Sequence, residues 1–422
     1  MTADLPRGAL LLSRRFGPLF VTQFLSAFSD NLFRTSLVFF ATFQLFAGDA
    51  AAAAGLAAQA AALFMLPFFL VSGFAGHLCD ARDKARVAQG VKLAEIVVMV
   101  VAAAGLWFGS VPVLLAALTL AGVQAALFGP IKYGILPQHV AKSELLTANA
   151  LVEGSTFVAV LLGQIAGGLL PPRLAGIALV VLGVTIWLVS RAIPPAPPVE
   201  RALAFQPLRQ SWAVLRAAFA SRALVVTILG ISWFWAAGAL ITGQFVPIVR
   251  HHLGAQEPVA TLLLTCFSLG IPAGSLLVSK MLRGEISLRF AAGAGTAMAL
   301  GMADAARRTL AFPQATGGLY DIPMFLASPA AWGLIADLLV IALAAGMFIA
   351  PLYARLQALS APERRARTIA ANNIANAGFI VASSVLAAVL LKAGWSAPQL
   401  ILLFAAGTLG IALTFAGRRA GA

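Results

Sequence analysis

The sequence predicts an all-α polytopic membrane protein whose 12 transmembrane helices form two six-helix halves. Of its 422 residues, 61% are hydrophobic and only 10% are charged. The mean hydropathy of +0.93 is far above that of soluble globular domains. About twelve mainly apolar runs are each long enough to cross roughly 30 Å of hydrocarbon as a helix.

The predicted spans lie near residues 16–46, 56–79, 87–109, 111–133, 144–170, 173–193, 223–249, 258–280, 286–303, 331–354, 367–391 and 395–417. Continuous Ala/Leu/Gly runs such as AAQAAALFMLPFFLVSGFAG favour helices, because the strands of membrane barrels alternate in polarity. We expect the first span to be retained, since it is longer than the apolar core of a signal peptide and no A-x-A cleavage site follows it.

The charge distribution predicts the orientation of the chain in the membrane. With the N-terminus inside, 22 of the 29 Lys and Arg residues fall in cytoplasmic segments or at the cytoplasmic ends of spans, and two fall deeper within spans. The other five are placed in external loops: Arg173, Arg250, Arg307, Arg308 and Lys392. This asymmetry predicts two cytoplasmic termini, and it explains the net charge of +14 without a nucleic-acid partner. The two cysteines lack metal-ligand spacing, so we expect no metal site, disulfide or redox chemistry.

A Pro-rich and then basic stretch divides the chain into two parts. It predicts an N-terminal six-helix bundle over 1–193, a cytoplasmic linker over 194–222 and a C-terminal bundle over 223–422. The segments FGPIKYGILPQHVAKSELLTANA and FIAPLYARLQALSAPERRARTIAANN share a small-Pro pair at a predicted helix end, a basic loop and an Ala-Asn helix start. Asn149 therefore aligns near Asn372 and Asn373, and such parallel repeats place a substrate path between the halves.

The first span carries a polar stripe in the segment FLSAFSDNLFR. On a helix, Gln23, Ser26, Asp30 and Arg34 lie within roughly 80° of one another, with Asn31 at the edge of the stripe. Asp30 and Arg34 are also spaced for an internal ion pair. The stripe predicts either a wall that binds substrate or gates its path, or a paired contact that holds two helices together.

Four other ionisable residues lie within predicted spans, where a charge costs at least about 2.5–3.5 kcal/mol. Lys92 and Glu95 are one turn apart near the start of the third span, which favours a snorkelling lysine with a local partner. Glu153 follows Asn149 by one turn, and this pair faces either the cavity or a packed neighbour. Asp337 is alone in its span, and the sequence assigns it no role.

The loop after the second span, GHLCDARDKAR, resembles the signature of the major facilitator superfamily. In that family a small residue allows close helix approach, and an acid pairs with basic residues to latch the cytoplasmic side. The resemblance makes Gly76, Asp80, Arg82, Lys84 and Arg86 the candidate cytoplasmic gate. The corresponding loop of the second half, GSLLVSKMLRGE, keeps a glycine and two basic residues but lacks the aspartate.

Four further motifs, FVTQFLSAFSDNLFR, FGPIKYGILPQH, ELLTANALVEGSTFVAVLLGQIAGGLL and PLYARLQ with AANNIANAGF, resemble the bacterial lysophospholipid transporters. The resemblance covers essentially the whole chain and includes transporters that some bacteria fuse to acyltransferase and acyl-ligase domains. Members move lyso-phosphatidylethanolamine and lyso-phosphatidylglycerol from the outer to the inner leaflet of the bacterial inner membrane, where both are re-acylated.

Carried over residue by residue, the resemblance makes Asp30 and Asn31 candidates for headgroup contact or gating. Lys132 becomes a phosphate partner or an inward-side latch, with Tyr133 beside it. Some free-standing members have a basic residue in the seventh span, where this chain has Gln244. The family further implies a monomer without cofactors, embedded in membrane lipid and served by a separate acyltransferase.

Two other functions compete with this interpretation. A proton-coupled drug or solute antiporter of the same superfamily would place a proline in the fifth-span glycine motif, but here LLGQIAGGLL has none. A membrane-embedded acyltransferase would need a His-x-x-x-x-Asp or a similar catalytic set, and the sequence lacks one. Coupling to protons through Asp30 or Glu153 stays open, although lipid movement drained by re-acylation needs no ion.

Overall fold

The computed structural model describes residues 10–40, 50–198, 207–313 and 319–416, and nearly all of them are helical. The first six helices are α1 (Gly17–Phe40), α2 (Ala50–Ala81), α3 (Lys84–Phe108), α4 (Val111–His139), α5 (Leu145–Leu169) and α6 (Pro172–Ser190). The predicted linker contains α7 (Pro207–Phe219). The remaining helices are α8 (Arg222–His251), α9 (Glu257–Met281), α10 (Ala291–Leu310), α11 (Ile322–Ala327), α12 (Pro329–Leu359), α13 (Arg365–Lys392) and α14 (Ala397–Thr414).

The all-helical membrane fold is confirmed, and each predicted span contains one long helix; the predicted residues 41–46 lie outside the described part. Within the described residues, 10 helices are long and apolar enough to cross a membrane. Helices α1 and α10 are not among them. The polar stripe lowers the hydropathy of α1, and every 18-residue window of α10 contains Asp304, Arg307 and Arg308.

Two helices continue six or seven residues past their predicted ends, and each extension has a physical cause. The ninth span was expected to end at 303, but α10 continues to Leu310 because Asp304 pairs with the two arginines of the last turn. The fourth span was expected to end near 133, but α4 continues to His139 with Pro130 and Pro137 inside it. Membrane helices tolerate internal proline because neighbouring groups satisfy the freed carbonyls.

The helices divide into two compact units. The first comprises the chain up to 148 together with 158–225 and 356–377; the second comprises 149–157, 226–355 and the chain from 378 onward. Each unit thus includes one short segment from the opposite half of the sequence. The three-part division at 193 and 222 stays a prediction.

Close helix contacts position α1 within the first unit. A Cβ atom on Gly163 would overlap the carbonyl oxygen of Phe28, and one on Gly167 would lie 2.6 Å from the carbonyl oxygen of Leu32. These glycines therefore let α5 approach the backbone of α1, the close packing inferred for small residues in membranes. Apolar side chains of α1, α3, α4 and α6 also form one buried core.

The start of the linker is held against the loop between α2 and α3. Asp83 caps α3 by accepting hydrogen bonds from the backbone N–H groups of Ala85 and Arg86, and its second oxygen accepts one from the N–H of Ala196 at 3.1 Å. The N–H of Lys84 donates in return to the carbonyl of Ala196 at 3.0 Å. Farther along the linker, α7 packs on α2.

The second unit is built on similar glycine contacts. Gly274 of α9 faces the carbonyl of Leu343 on α12, and a Cβ at this position would overlap that carbonyl. Helix α10 packs along α14. A parallel β-bridge between Ala255 and Tyr320 joins the residues just before α9 to those just before α11.

Candidate functional site

A buried polar network joins α1, α3 and α4. The carboxylate of Asp30 accepts a hydrogen bond from Nε2 of Gln124 at 3.2 Å. Oε1 of the same glutamine accepts from Nζ of Lys92 at 2.9 Å, and Nζ also donates to Glu95 at 2.7 Å. The ammonium of Lys92 lies 3.9 Å from the centre of the Phe128 ring. One chain of contacts thus links two carboxylates through an amide and a cation.

Lys92 does not snorkel, contrary to the prediction. The side chains of Lys92 and Glu95 are both 0% exposed, so the pair is completely removed from solvent and lipid. The predicted local partner is present, but Gln124, which lies on another helix, had not been assigned to the site. Its signal in the sequence was an uncharged polar side chain inside an otherwise apolar span.

Arg34 does not form the expected pair with Asp30. Its Nη2 donates to Oδ1 of Asn31 at 2.7 Å, while the guanidinium lies 5.8 Å from the ring centre of Phe64. Asn31 in turn donates to the carbonyl of Ala27 at 2.8 Å. The spacing of Asp30 and Arg34 permitted an ion pair, but each side chain has a nearer partner. The polar stripe is therefore divided into two contacting sets.

The remaining stripe residues are buried. Gln23 and Ser26 are 2% and 4% exposed, and Ser26 donates to the carbonyl of Thr22. This burial agrees with a stripe that faces protein, while its role in binding substrate stays a prediction.

Lys132 and Tyr133 lie two turns along α4 from Gln124, about 12 Å farther along the helix axis. The ammonium of Lys132 lies 4.5 Å from the ring centre of Tyr133. Gly129, one turn before, accommodates the amide of Asn373: a Cβ there would overlap Nδ2. The first unit thus brings Asn373 of α13 to the same stretch of α4 as Lys132.

Asn372 has an unusual environment. It is 0% exposed, and neither its amide nitrogen nor its amide oxygen has a hydrogen-bond partner among the described residues. Leaving a buried polar group unpaired lowers the folding stability by about 1–3 kcal/mol. A contribution to stability therefore does not explain this amide. It is the kind of group that a polar ligand or an ordered water satisfies.

Three candidate residues belong to the second unit. Asn149 and Glu153 are each 0% exposed on α5, and the adjacent Gly154 packs against Pro272 of α9. Gln244 is half-buried on α8.

The candidate gate is organised around Asp80 at the end of α2. Its carboxylate accepts from Nε of Arg367 at 3.1 Å and from the backbone N–H of Ala366 at 3.3 Å, so it pairs with a cation and caps the start of α13. Gly76 makes this approach possible, because a Cβ there would lie 2.8 Å from Cα of Arg367. The predicted gate acid therefore pairs with a basic residue of α13, which sequence spacing did not reveal.

The basic gate residues differ in environment. Lys84 is 2% exposed, and its ammonium has no hydrogen-bond partner in the described part of the chain. Its side chain passes over Gly134, where a Cβ would lie 3.6 Å from Cε. Arg82 and Arg86 are exposed.

Asp337 is the only charged residue predicted within its span, and the structure gives it a partner on another helix. Its carboxylate lies 2.9 Å from Nε of Arg308, which also contacts Asp304 at 2.8 Å. Gly333, one turn before Asp337, leaves room for the guanidinium, because a Cβ there would overlap Arg308. This cluster ties α10 to α12 within the second unit. Among the described residues, no group of three or more His, Cys, Asp or Glu is arranged to hold a metal ion.

Comparisons with known proteins agree with this architecture. A sequence model of the Major Facilitator Superfamily matches residues 19–306. The chain is 29% identical over 383 residues to the Lysophospholipid transporter LplT of Serratia proteamaculans (strain 568), over 88% of this chain and 86% of that protein. It is 32% identical over 294 residues to the Lysophospholipid transporter LplT of Cronobacter sakazakii (strain ATCC BAA-894), over 66% of this chain and 69% of that protein.

Among solved structures, a bacterial homologue of the iron transporter ferroportin in the outward-facing state is similar, with a TM-score of 0.72 over 96% of this chain and 100% of that one. At 16% sequence identity this likeness concerns the fold alone. The family match and the curated relatives carry the assignment further. The chain belongs to the major facilitator superfamily and, within it, to the family of bacterial lysophospholipid transporters.

Proposed function

We propose that this protein moves lysophospholipids, chiefly lyso-phosphatidylethanolamine and lyso-phosphatidylglycerol, from the outer to the inner leaflet of the bacterial inner membrane by alternating access. Both termini would lie in the cytoplasm. The observation that carries the proposal is the similarity to proteins named Lysophospholipid transporter LplT over most of the chain. The buried polar network of α1, α3 and α4 supplies chemistry suited to such a substrate.

The headgroup offers both signs of charge. A lysophospholipid carries one phosphate, and its ethanolamine form adds one ammonium. Either Arg34 or Lys132 provides a cation for the phosphate, and Asp30 provides a carboxylate for the ammonium. The Gln124 amide that now donates to Asp30 is a neutral partner. We infer that a substrate ammonium replaces this contact, because it adds the attraction between two opposite full charges to the hydrogen bond.

The contact between Asp80 and the start of α13 would act as the cytoplasmic latch. It combines an ion pair with a helix cap, and the carboxylate is fully buried. Inward release would then require Asp80 to exchange partners. The new partner would be Lys84, which is buried and whose ammonium has no hydrogen bond in the described residues.

The protein would perform no chemistry on the lipid. Re-acylation in the inner leaflet would be catalysed by a separate acyltransferase, and its consumption of substrate would drive net movement without an ion. We propose a monomer embedded in membrane lipid, without cofactor. The antiporter alternative has less support, because the two relatives described above are named Lysophospholipid transporter LplT.

Uptake in spheroplasts tests this function. Spheroplasts that lack their own transporter would receive labelled lyso-phosphatidylethanolamine, and conversion to the diacyl lipid would report arrival at the inner leaflet. We expect the wild-type chain to restore conversion, and Asp30→Ala, Arg34→Ala and Lys132→Ala each to lower it at least about tenfold, the effect of losing one charged hydrogen bond. Lys142→Ala, at an exposed lysine after α4, is the control.

Unchanged uptake in all three variants would overturn the site assignment. Loss of uptake when the proton gradient is abolished would overturn the uncoupled mechanism. A wild-type chain that restores no conversion would contradict the function itself.

A further inference from the structure

Helices α3 and α6 enclose a groove on the surface of the first unit, well away from the cluster around Asp30. Its cavity volume is about 480 Å³. The floor consists of small residues, Ala103 and Ala104 on α3 and Gly176 on α6. Gly176 is needed for this geometry, since a Cβ there would lie 3.2 Å from Cα of Ala103. Small residues between two rows of large ones leave a narrow channel along the helices.

The walls of the groove are bulky apolar side chains. Trp107 and Phe108 stand on the α3 side, and Ile177 and Val181 stand on the α6 side. All four are exposed, Phe108 to 80%. Such side chains contact lipid in a membrane protein, and the walls extend the channel outward from the small floor.

One end of the groove carries a positive charge. The guanidinium of Arg173 lies 5.0 Å from the ring centre of Trp107, which fixes it at the rim. The sequence contains no Asp or Glu from residue 96 to 143 or from 154 to 199, so neither helix offers a competing carboxylate beside the groove. An arginine held in this way presents its remaining N–H groups to a phosphate.

The dimensions of the groove suit one acyl chain. From Arg173 to Val181 α6 advances eight residues, or about 12 Å along its axis. One leaflet contributes about half of a hydrocarbon core of roughly 30 Å. The groove therefore spans most of one leaflet, with its charged end where headgroups lie.

We propose that this groove is a binding site for one phospholipid of the leaflet that it faces, with its phosphate on Arg173 and one acyl chain on the floor of Ala103, Ala104 and Gly176. The charge distribution places this end of α3 and α6 at the outer surface. The site lies apart from the transport residues and does not depend on the proposed function.

Native mass spectrometry of the purified full chain with added dioleoyl phosphatidylglycerol tests the site. We expect the wild type to retain one tightly bound phosphatidylglycerol. Arg173→Gln should weaken this binding at least about tenfold, because a charge-assisted contact is lost. Ala104→Phe, which fills the floor, should abolish it. Dioleoylglycerol, which has the same chains but no phosphate, should bind about as weakly to the wild type as phosphatidylglycerol binds to Arg173→Gln.

The matched control is Arg191→Gln. Arg191 also stacks on a tryptophan of α6, Trp187 at 5.4 Å, but at the opposite end of the helix. This variant should bind phosphatidylglycerol like the wild type. Equal binding by wild type and Arg173→Gln, or equal losses in Arg173→Gln and Arg191→Gln, would overturn the site. Arg173 is exposed, so its variant should fold even if Ala104→Phe does not.

Discussion

Lys92 and Glu95 show how much a single buried pair depends on its partners. Removing two charges from water costs several kcal/mol per ion, and their attraction compensates only when further hydrogen bonds complete the geometry. Here Gln124 supplies one such bond, and Phe128 supplies a cation–π contact. A well-packed apolar pair would stabilise the fold at least as well. The network is therefore better explained by a need for charge near Asp30 than by a need for stability.

Replacing one member of the pair should destabilise the protein more than replacing both. Lys92→Met leaves the Glu95 carboxylate buried without its cation, a change worth about 3–5 kcal/mol. The double variant Lys92→Met/Glu95→Gln removes both charges and should recover much of the lost stability. The measurement is the thermal unfolding midpoint in detergent, with Lys142→Met as the surface control. A double variant less stable than Lys92→Met would contradict the assignment of the pair.

Asn372 should show the opposite relation between stability and function. Its buried amide lacks a hydrogen bond in the described residues, so Asn372→Leu should raise the unfolding free energy, by up to about 1–3 kcal/mol. If the amide contacts substrate, lysophospholipid uptake should fall in the same variant. Asn31→Leu is the matched comparison, because Asn31 makes two hydrogen bonds and its loss should destabilise. An Asn372→Leu variant with lower stability and full uptake would contradict this interpretation.

Sequence reasoning at this scale identified polar residues but not their partners. The stripe on α1 followed from helical spacing, and so did the possibility of a pair between Asp30 and Arg34. The actual partner of Asp30 is Gln124, 94 residues away, and nothing in local spacing specifies a contact across that distance. The environment of Asp337 was missed for the same reason, since its partner Arg308 lies on another helix.

Among the helices, the contact between α2 and α13 is the most informative. Asp80 offers a full negative charge to the N-terminus of α13, where unpaired N–H groups favour an anion, and it pairs with Arg367 as well. The approach depends on Gly76, whose missing side chain leaves room for the backbone of α13. The proposed latch is thus both a helix cap and an ion pair.

A double-mutant cycle tests that latch. Asp80→Ala and Arg367→Ala should each lower transport, and their effects on stability should be non-additive by about 0.5–3 kcal/mol, as for residues in direct contact. Asp80→Asn should retain part of the cap but lose the ion pair. Its stability and its transport rate should therefore lie between those of wild type and Asp80→Ala. Fully additive effects in the double variant would show that the two side chains act separately. Arg86→Ala, at an exposed neighbour, would separate this contact from general loss of positive charge in the loop.

Helix existence was predictable, and helix ends were less so. Apolar runs located every long helix, because burial in lipid requires about 20 apolar residues in sequence. The predicted span stops before Asp304, whereas α10 continues because Asp304 neutralises Arg307 and Arg308 within the helix. Helix α4 continues past its predicted end at 133 and contains Pro137, a residue that would stop or kink a helix in a soluble protein.

For the whole molecule, function depends on combining an apolar exterior with a few buried charges. Composition and hydropathy predicted the fold class, and specific motifs predicted the family. The polar network that would meet a headgroup is assembled from α1, α3 and α4, helices that sequence periodicity treats separately. The overall fold was thus more predictable than the site. The apolar composition that suits a helix to lipid can be read from one local stretch of sequence, whereas side-chain contacts depend on how several helices pack together.

Reconstitution in liposomes gives the most direct test. Purified protein would be placed in vesicles that carry a fluorescent lyso-phosphatidylethanolamine, without an acyltransferase or an ion gradient, and loss of outer-leaflet fluorescence on quenching would report exchange between leaflets. We expect the wild type to accelerate exchange of this single-chain lipid well above protein-free vesicles and above its diacyl counterpart, and Asp30→Asn to abolish the acceleration. Exchange no faster than in protein-free vesicles, or equal acceleration by wild type and Asp30→Asn, would contradict lysophospholipid transport through this network.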